Sequence, residues 1–307
     1  MMADVLAALL RVNLVGAAAI VAVLALRIPA RRLLGPEVAY WLWAAPPLAA
    51  FATLLPPRTE DGAAARDALA AAVHDLSAPA LLAWIAGAAL IAGLLVRHQL
   101  RFMAQVRAGR GGPAVVGVIA PRIVMPEDDG AYTDDERALI RDHERQHVTR
   151  QDPRAGAFAS LLQALCWFNP LVHVAVRAMR LDQELACDAA VLRRRPGDRA
   201  LYARTLLKAQ LASQPLPFGC YWPSRGPHPL EVRMGLLRDI RRHDGLGGPV
   251  LVATALAVCA WAGWRVQPPA PRPTELVEHY RANARADAAG GRSMSVMLIS
   301  VPRDTAG

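Results

Sequence analysis

His143-Glu144-Arg145-Gln146-His147 is an H-E-x-x-H pattern inside the helix-forming stretch from Asp134 to Arg150. Histidines four residues apart lie on one helical face, so both imidazoles can reach one metal ion. The glutamate beside the first histidine is then placed to act as general base on a water that the metal activates. Upstream, Thr133-Asp134-Asp135-Glu136 has the spacing of a capping box, and its acids suit the positive end of a helix dipole. The helix therefore starts well before His143, and Pro153 marks its end soon after His147.

Beyond that boundary, Arg154 to Phe168 reads as a second, largely apolar helix. Asn169-Pro170 restarts the chain, since proline suits a first helical position. The third helix runs to about Arg195, where Pro196-Gly197 stops it. It carries Glu184 and Asp188, four apart and so on one face. A catalytic zinc site with two histidines needs a third protein ligand and an open position. Glu184 is the best candidate for that ligand, with Asp188 accepting a hydrogen bond from a ligand histidine and setting its tautomer. A solvated acidic patch is the competing reading of this pair, and it loses ground beside the H-E-x-x-H. His173 reads as a core or groove histidine and Cys187 as a packing residue. Tyr202 and Arg180 have the chemistry to stabilise an oxyanion, but no spacing selects either. Ahead of the motif, Ala114–Ile119 and Arg122–Met125 are β-branched runs separated by Ala-Pro, a hairpin whose edge can hold an extended peptide or be purely structural.

The 307-residue chain is 54% hydrophobic and only 20% charged, too apolar for an ordinary soluble enzyme. Four apolar runs account for this: about 5–26, 38–55 and 78–96 before the motif, and 249–266 after it. Arginines follow the first and third runs and precede the fourth. The 57–78 connection carries more acids than arginines. That asymmetry predicts an inner (plasma) membrane protein with both termini outside and residues 97–248 in the cytoplasm. The formal charge of +9 is nearly all arginine, Lys208 being the sole lysine. Beside apolar spans it marks cytoplasmic flanks and anionic headgroups, and the scattered arginines argue against direct nucleic-acid binding. The four cysteines form no C-x-x-C pair, consistent with free thiols in a reducing compartment. Residues 267–307 start with prolines at 268, 269, 271 and 273 and read as a stiff extracytoplasmic tail. The expected architecture is thus mainly α, with multi-span membrane helices and a small inserted α+β domain.

Several motifs in order carry a family resemblance. They are the three apolar runs, Gly117-Val118-Ile119-Ala120-Pro121-Arg122-Ile123-Val124-Met125-Pro126 and the H-E-x-x-H. Trp167-Phe168-Asn169-Pro170-Leu171-Val172-His173, Glu184-Leu185-Ala186-Cys187-Asp188 and the fourth run follow. Over residues 1–266 the chain resembles the BlaR/MecR family of integral-membrane zinc metallopeptidases, the antibiotic-sensing antirepressors. The resemblance implies a gluzincin-like domain with His143, His147 and Glu184 on one Zn2+ and Glu144 as catalytic base. It implies a signal-responsive endopeptidase that cleaves a cytoplasmic protein such as a transcriptional repressor, and itself. The 40 or so residues after the fourth run contain no Ser-x-x-Lys. Covalent β-lactam sensing is therefore not expected of them, and a separate periplasmic sensor partner or a homodimer becomes a candidate route for the signal. Constitutive quality control of membrane proteins by the same chemistry is one alternative. A non-catalytic membrane transducer is another, and Glu144 speaks against it.

Overall fold

The computed structural model describes residues 2–55, 77–109, 112–125, 130–212, 229–238 and 245–266. The first apolar run becomes α1 (Met2–Leu34), which continues past residue 26 through Pro29 and ends on Arg31 and Arg32. The expected second span, 38–55, is not one helix. It divides into α2 (Pro36–Trp41), a 3-10 turn (Leu42–Ala44) and α3 (Ala45–Ala52). Pro46 and Pro47 have no N–H to give the carbonyls a turn earlier, so the helix tightens and restarts with both prolines in its first turn. Ala39, Leu42 and Ala45 are fully buried, because this segment packs among α1 and the later helices instead of facing outward. The third run forms α4 (Ser77–Arg107), longer than the expected 78–96.

Strands β1 (Ala114–Val116) and β2 (Arg122–Val124) then pair antiparallel, with Val115 opposite Ile123. Gly117 turns the hairpin at φ 101°, where a Cβ would lie 2.7 Å from the Ala120 carbonyl oxygen, so only glycine fits. The hairpin packs against α5 (Asp134–Thr149), the helix of the H-E-x-x-H. Helices α6 (Asp152–Leu165), α7 (Pro170–Arg194), α8 (Arg199–Ala212) and α9 (Pro229–Arg238) follow, and α10 (Gly247–Arg265) closes the described chain. The fold is mainly α with a single two-stranded sheet among the described residues. Three of those helices are long and apolar enough to cross a membrane, over Val5–Leu34, Ala78–Arg107 and Gly247–Arg265. The chain is a membrane protein. The expected extracytoplasmic tail, 267–307, lies outside the described residues.

Helix α7 joins two cores. Its first half, with Val172, Ala175 and Ala178, packs on Ile20, Val23, Val38, Leu42 and Trp43 of the apolar helices. In its second half, Val191 and Leu192 pack with Leu139 of α5, Tyr202 and Leu206 of α8 and Leu237 of α9. Between the halves, fully buried Asp182 accepts hydrogen bonds from Arg27 Nη1 at 2.8 Å and Trp43 Nε1 at 2.9 Å. The apolar bundle is thereby tied to α7 two residues from Glu184. Close helix contacts rely on small residues: a Cβ on Gly263 of α10 would lie 2.2 Å from the Ala49 carbonyl oxygen of α3.

Candidate metal centre

Helix α5 starts as expected. Thr133 Oγ1 accepts from the Glu136 amide at 3.3 Å, and the Thr133 amide donates to Glu136 Oε2 at 2.9 Å, completing the capping box. His143, Glu144 and His147 therefore sit on ordered helix, nearly three turns inside it. After Thr149 the chain turns sharply through Gln151, which adopts φ 61°, the left-handed region, at a cost of about 1–2 kcal/mol. That single residue reverses the chain tightly enough to bring Asp152, at the start of α6, beneath His147.

The two imidazoles present their Nε2 atoms to each other at 3.2 Å. Glu184 on α7 faces both, with Oε2 at 3.3 Å from His143 Nε2 and Oε1 at 3.5 Å from His147 Nε2. Two ligands held at about 2.0–2.1 Å in tetrahedral array lie about 3.3 Å apart. The three observed separations match that spacing.

The opposite ring nitrogens are occupied. His147 Nδ1 lies 2.8 Å from Asp152 Oδ2 and donates its proton to that carboxylate. His143 Nδ1 lies 2.8 Å from Tyr202 Oη, and Tyr202 in turn donates to Asp188 Oδ1 at 2.7 Å. With both Nδ1 atoms protonated, both Nε2 lone pairs point into the space between the rings. Two facing lone pairs with a carboxylate beside them repel unless a cation lies among them, so the donor set fits a divalent metal. The surroundings favour positive charge between the rings, whether a proton or a metal ion: burial works against a charge on His147, yet Asp152, Cys187 and Glu184 together draw its pKa well above the ordinary histidine value. Burial likewise works against ionised Glu184, but Arg233 and the two histidines hold it well below the usual carboxylate range.

Glu144 is buried at 7% exposure, and burial raises its pKa against the opposing pull of His143 and His147. Among the described residues its carboxylate has no hydrogen-bond partner, which leaves both oxygens available to a water. A carboxylate with a raised pKa is a stronger base, as proton abstraction requires.

Asp188 is fully buried and stands 3.4 Å from His143 Nδ1, beyond a good hydrogen bond, so it reaches that ring through Tyr202. Arg233 of α9 donates to both Asp188 oxygens, from Nε at 2.8 Å and Nη2 at 2.7 Å, and its Nη1 lies 3.0 Å from Glu184 Oε2. Cys187 is a rival ligand by proximity, since His143, His147 and Cys187 offer ligand atoms within 4.8 Å of one another. Its Sγ, however, lies 3.4 Å from His147 Nδ1, the nitrogen that Asp152 already engages. Burial pushes its thiol up to about 11, which disfavours the ligating thiolate. Glu184 is the better third donor.

His173 is structural, its Nε2 donating to the Trp167 carbonyl at 2.9 Å and its Nδ1 lying 3.3 Å from Gln163 Nε2. Two residues of the centre, Asp152 and Arg233, are not singled out by the sequence pattern, and Tyr202 is marked only for an oxyanion role. Asp152 carried a faint signal, an acid opening the helix after H-E-x-x-H. Nothing in the spacing ties Tyr202 to His143, and Arg233 is one of many arginines.

Residues 105–237 match the family model described as BlaR1 peptidase M56. The chain is also similar to the regulatory protein BlaR1 of Bacillus licheniformis, at 34% identity over 101 residues. That match takes in 32% of this chain and spans 17% of the relative's length. No solved structure matches. The matched segment holds α5 through α9, and with them every residue of the centre except the apolar helices that buttress it. Over these residues the chain is similar to the BlaR/MecR type, through the match to the BlaR1 peptidase M56 model.

Proposed function

We propose that the chain is a membrane-embedded zinc endopeptidase that cleaves a cytoplasmic protein, a transcriptional repressor being the leading class, in response to a signal. The observation that supports this best is the juxtaposition of two Nε2 atoms and one carboxylate at metal-ligand spacing, beside a buried carboxylate free to take a proton. His143, His147 and Glu184 would hold the zinc, leaving one position open. Zinc bound there would supply Lewis acidity toward a peptide carbonyl and a water. Glu144 would accept a proton from the attacking water and return it to the leaving amine, a role that its raised pKa suits in both directions. Asp152 and the Tyr202–Asp188–Arg233 chain keep each imidazole in the tautomer that leaves Nε2 unprotonated. The β1–β2 hairpin packed on α5 offers an edge on which an extended substrate can align by main-chain hydrogen bonds. The regulatory part of the reading draws on the name of the BlaR1 relative. It is strengthened by the ties of Asp182 and Asp152 to the apolar helices, through which a movement in the membrane reaches two ligands.

The topology proposed with it places the α1 end at Leu34 and the α10 start at Gly247 on the cytoplasmic side, with residues 97–248 between the third and fourth crossings. Both termini are then outside, and a homodimer or a periplasmic partner supplies the signal. Thiol labelling of single cysteines at positions 57–76 and 97–109 in intact cells distinguishes the two sides. Comparison of the proteomes of wild-type and Glu144→Ala cells tests the activity. Cytoplasmic fragments confined to the wild type are expected, and identical proteomes together with unchanged self-processing overturn the reading.

A further inference from the structure

A cavity of about 1190 Å3 lies where α1 and α10 leave the apolar bundle, bounded also by α2, α7 and α9. Its rim is cationic, with Arg31 and Arg32 at the end of α1 and Arg193 near the end of α7. Its walls are apolar, formed by Leu34 and Trp41 on one side and Val252 and Leu256 on the other. The charges are unbalanced. Arg27 and Arg31 share the single carboxylate of Asp182, and Arg193 takes Glu37. Arg32 is exposed and has no partner among the described residues. Four guanidiniums against two carboxylates leave the rim attractive to an anion.

We propose that this cavity holds one anionic glycerophospholipid of the surrounding leaflet, its phosphate at Arg31 and Arg32 and an acyl chain along Leu34, Trp41, Val252 and Leu256. Three observations select that occupant. The cavity exceeds the roughly 300–1,000 Å3 of ordinary small-molecule pockets. It pairs a cationic rim with apolar walls, the arrangement an anionic amphiphile satisfies at both ends. It opens at the boundary of two candidate spans, where the bilayer supplies headgroups at high local concentration and attracts arginines.

The same cavity backs onto the metal centre. Val232 and Leu236 of α9 line it, while Arg233 between them is buried against Glu184 and Asp188. On α7, Leu185 and Ala189 line it, each the chain neighbour of one of those two acids. The lipid thus forms a wall behind the ligand Glu184 and its clamp. That consequence rests on the metallopeptidase reading, whereas retention of the lipid does not.

The test uses the full chain in detergent, with phosphatidylglycerol or phosphatidylcholine added and retained adducts counted by native mass spectrometry. One tightly held phosphatidylglycerol is expected, preferred over phosphatidylcholine by at least about fivefold, the attraction of one surface arginine for anionic lipid. Arg32→Gln should remove most of that preference. Val252→Trp, which fills the apolar wall, should remove the adduct with either lipid. Arg32→Gln keeps the test open if the tryptophan variant misfolds. Equal retention of both lipids by the wild type overturns the proposal, as does retention unchanged in Arg32→Gln. Displacement of the adduct by millimolar inorganic phosphate overturns it in favour of a simple anion site. Glu144→Ala protein should retain the lipid as the wild type does, so a failure of the peptidase reading leaves this result legible.

Discussion

Asp152 is the residue through which the geometry of the metal centre can be tested without assaying hydrolysis. Its Oδ2 accepts from His147 Nδ1 at 2.8 Å and from Arg150 Nη2 at 3.0 Å, and its Oδ1 accepts from Tyr40 Oη at 2.9 Å. A hydrogen bond to a charged group contributes about 1.5–3 kcal/mol. Loss of an outer partner of a ligand histidine typically costs 10–100-fold in metal affinity, which is about 1.4–2.7 kcal/mol. The two figures agree, so Asp152→Ala is expected to weaken zinc binding by 10–100-fold. Asp152→Asn keeps an acceptor for His147 while losing the charge, and should cost roughly tenfold or less. Tyr40→Phe leaves the His147 bond in place but frees Asp152 from α2, and its loss should be smaller again. Competition titration of the full chain against a chromogenic zinc chelator reads all three, with melting curves to confirm folding. If Asp152→Ala binds zinc within twofold of the wild type while Glu184→Ala does not, the orienting role assigned to Asp152 is wrong.

Four other outcomes are expected. Glu144→Gln should retain zinc and lose about 10²–10⁴-fold in peptide cleavage, measured on whichever substrate the proteome comparison yields. Cys187→Ala should bind zinc as the wild type does and Glu184→Ala should not, by metal analysis of the purified proteins; the reverse ranking would make Cys187 the ligand. Asp182→Ala leaves Arg27 and Arg31 facing an apolar cluster and should destabilise by about 3–5 kcal/mol, seen as a large drop in melting temperature. The Lys208 ammonium, with the Thr133 amide, holds the Glu136 carboxyl below its ordinary value. Its stabilising effect is therefore present above the unfolded-state pKa of about 4.3 and is lost as pH falls through the lower folded-state value. Glu136→Gln should flatten that acid-side fall in melting temperature.

Local pattern was enough for much of the fold. The capping box at Thr133, the helical phase of His143 and His147, the Gly117 hairpin and the restart at Asn169-Pro170 depend on neighbours within a few residues. The cap, the helical phase and the restart stand where the sequence places them, whereas the hairpin turns earlier than the expected Ala-Pro, at Gly117, and its strands are three residues each. The segment 36–52 shows the limit of such reading. Its hydropathy suggested a plain span, but Pro46-Pro47 broke the helix and burial among α1, α7 and α10 absorbed the break.

The proposed triad was legible for a related reason: His143 and His147 share a helix turn, and Glu184 and Asp188 share another, so one long-range pairing brings the candidates together. The residues that orient the triad required the tertiary structure. Asp152 became visible only through the left-handed Gln151, which turns α6 under His147. Tyr202 reaches His143 across 59 residues, Arg233 reaches Asp188 across 45, and Tyr40 reaches Asp152 across 112. Sequence by itself determined which residues can bind a metal, because ligand type and helical spacing are local properties. Which groups engage the opposite ring nitrogens of those candidates, and which apolar segment reaches them, was decided by packing, because a hydrogen-bond partner is chosen by proximity in space and carries no period along the chain.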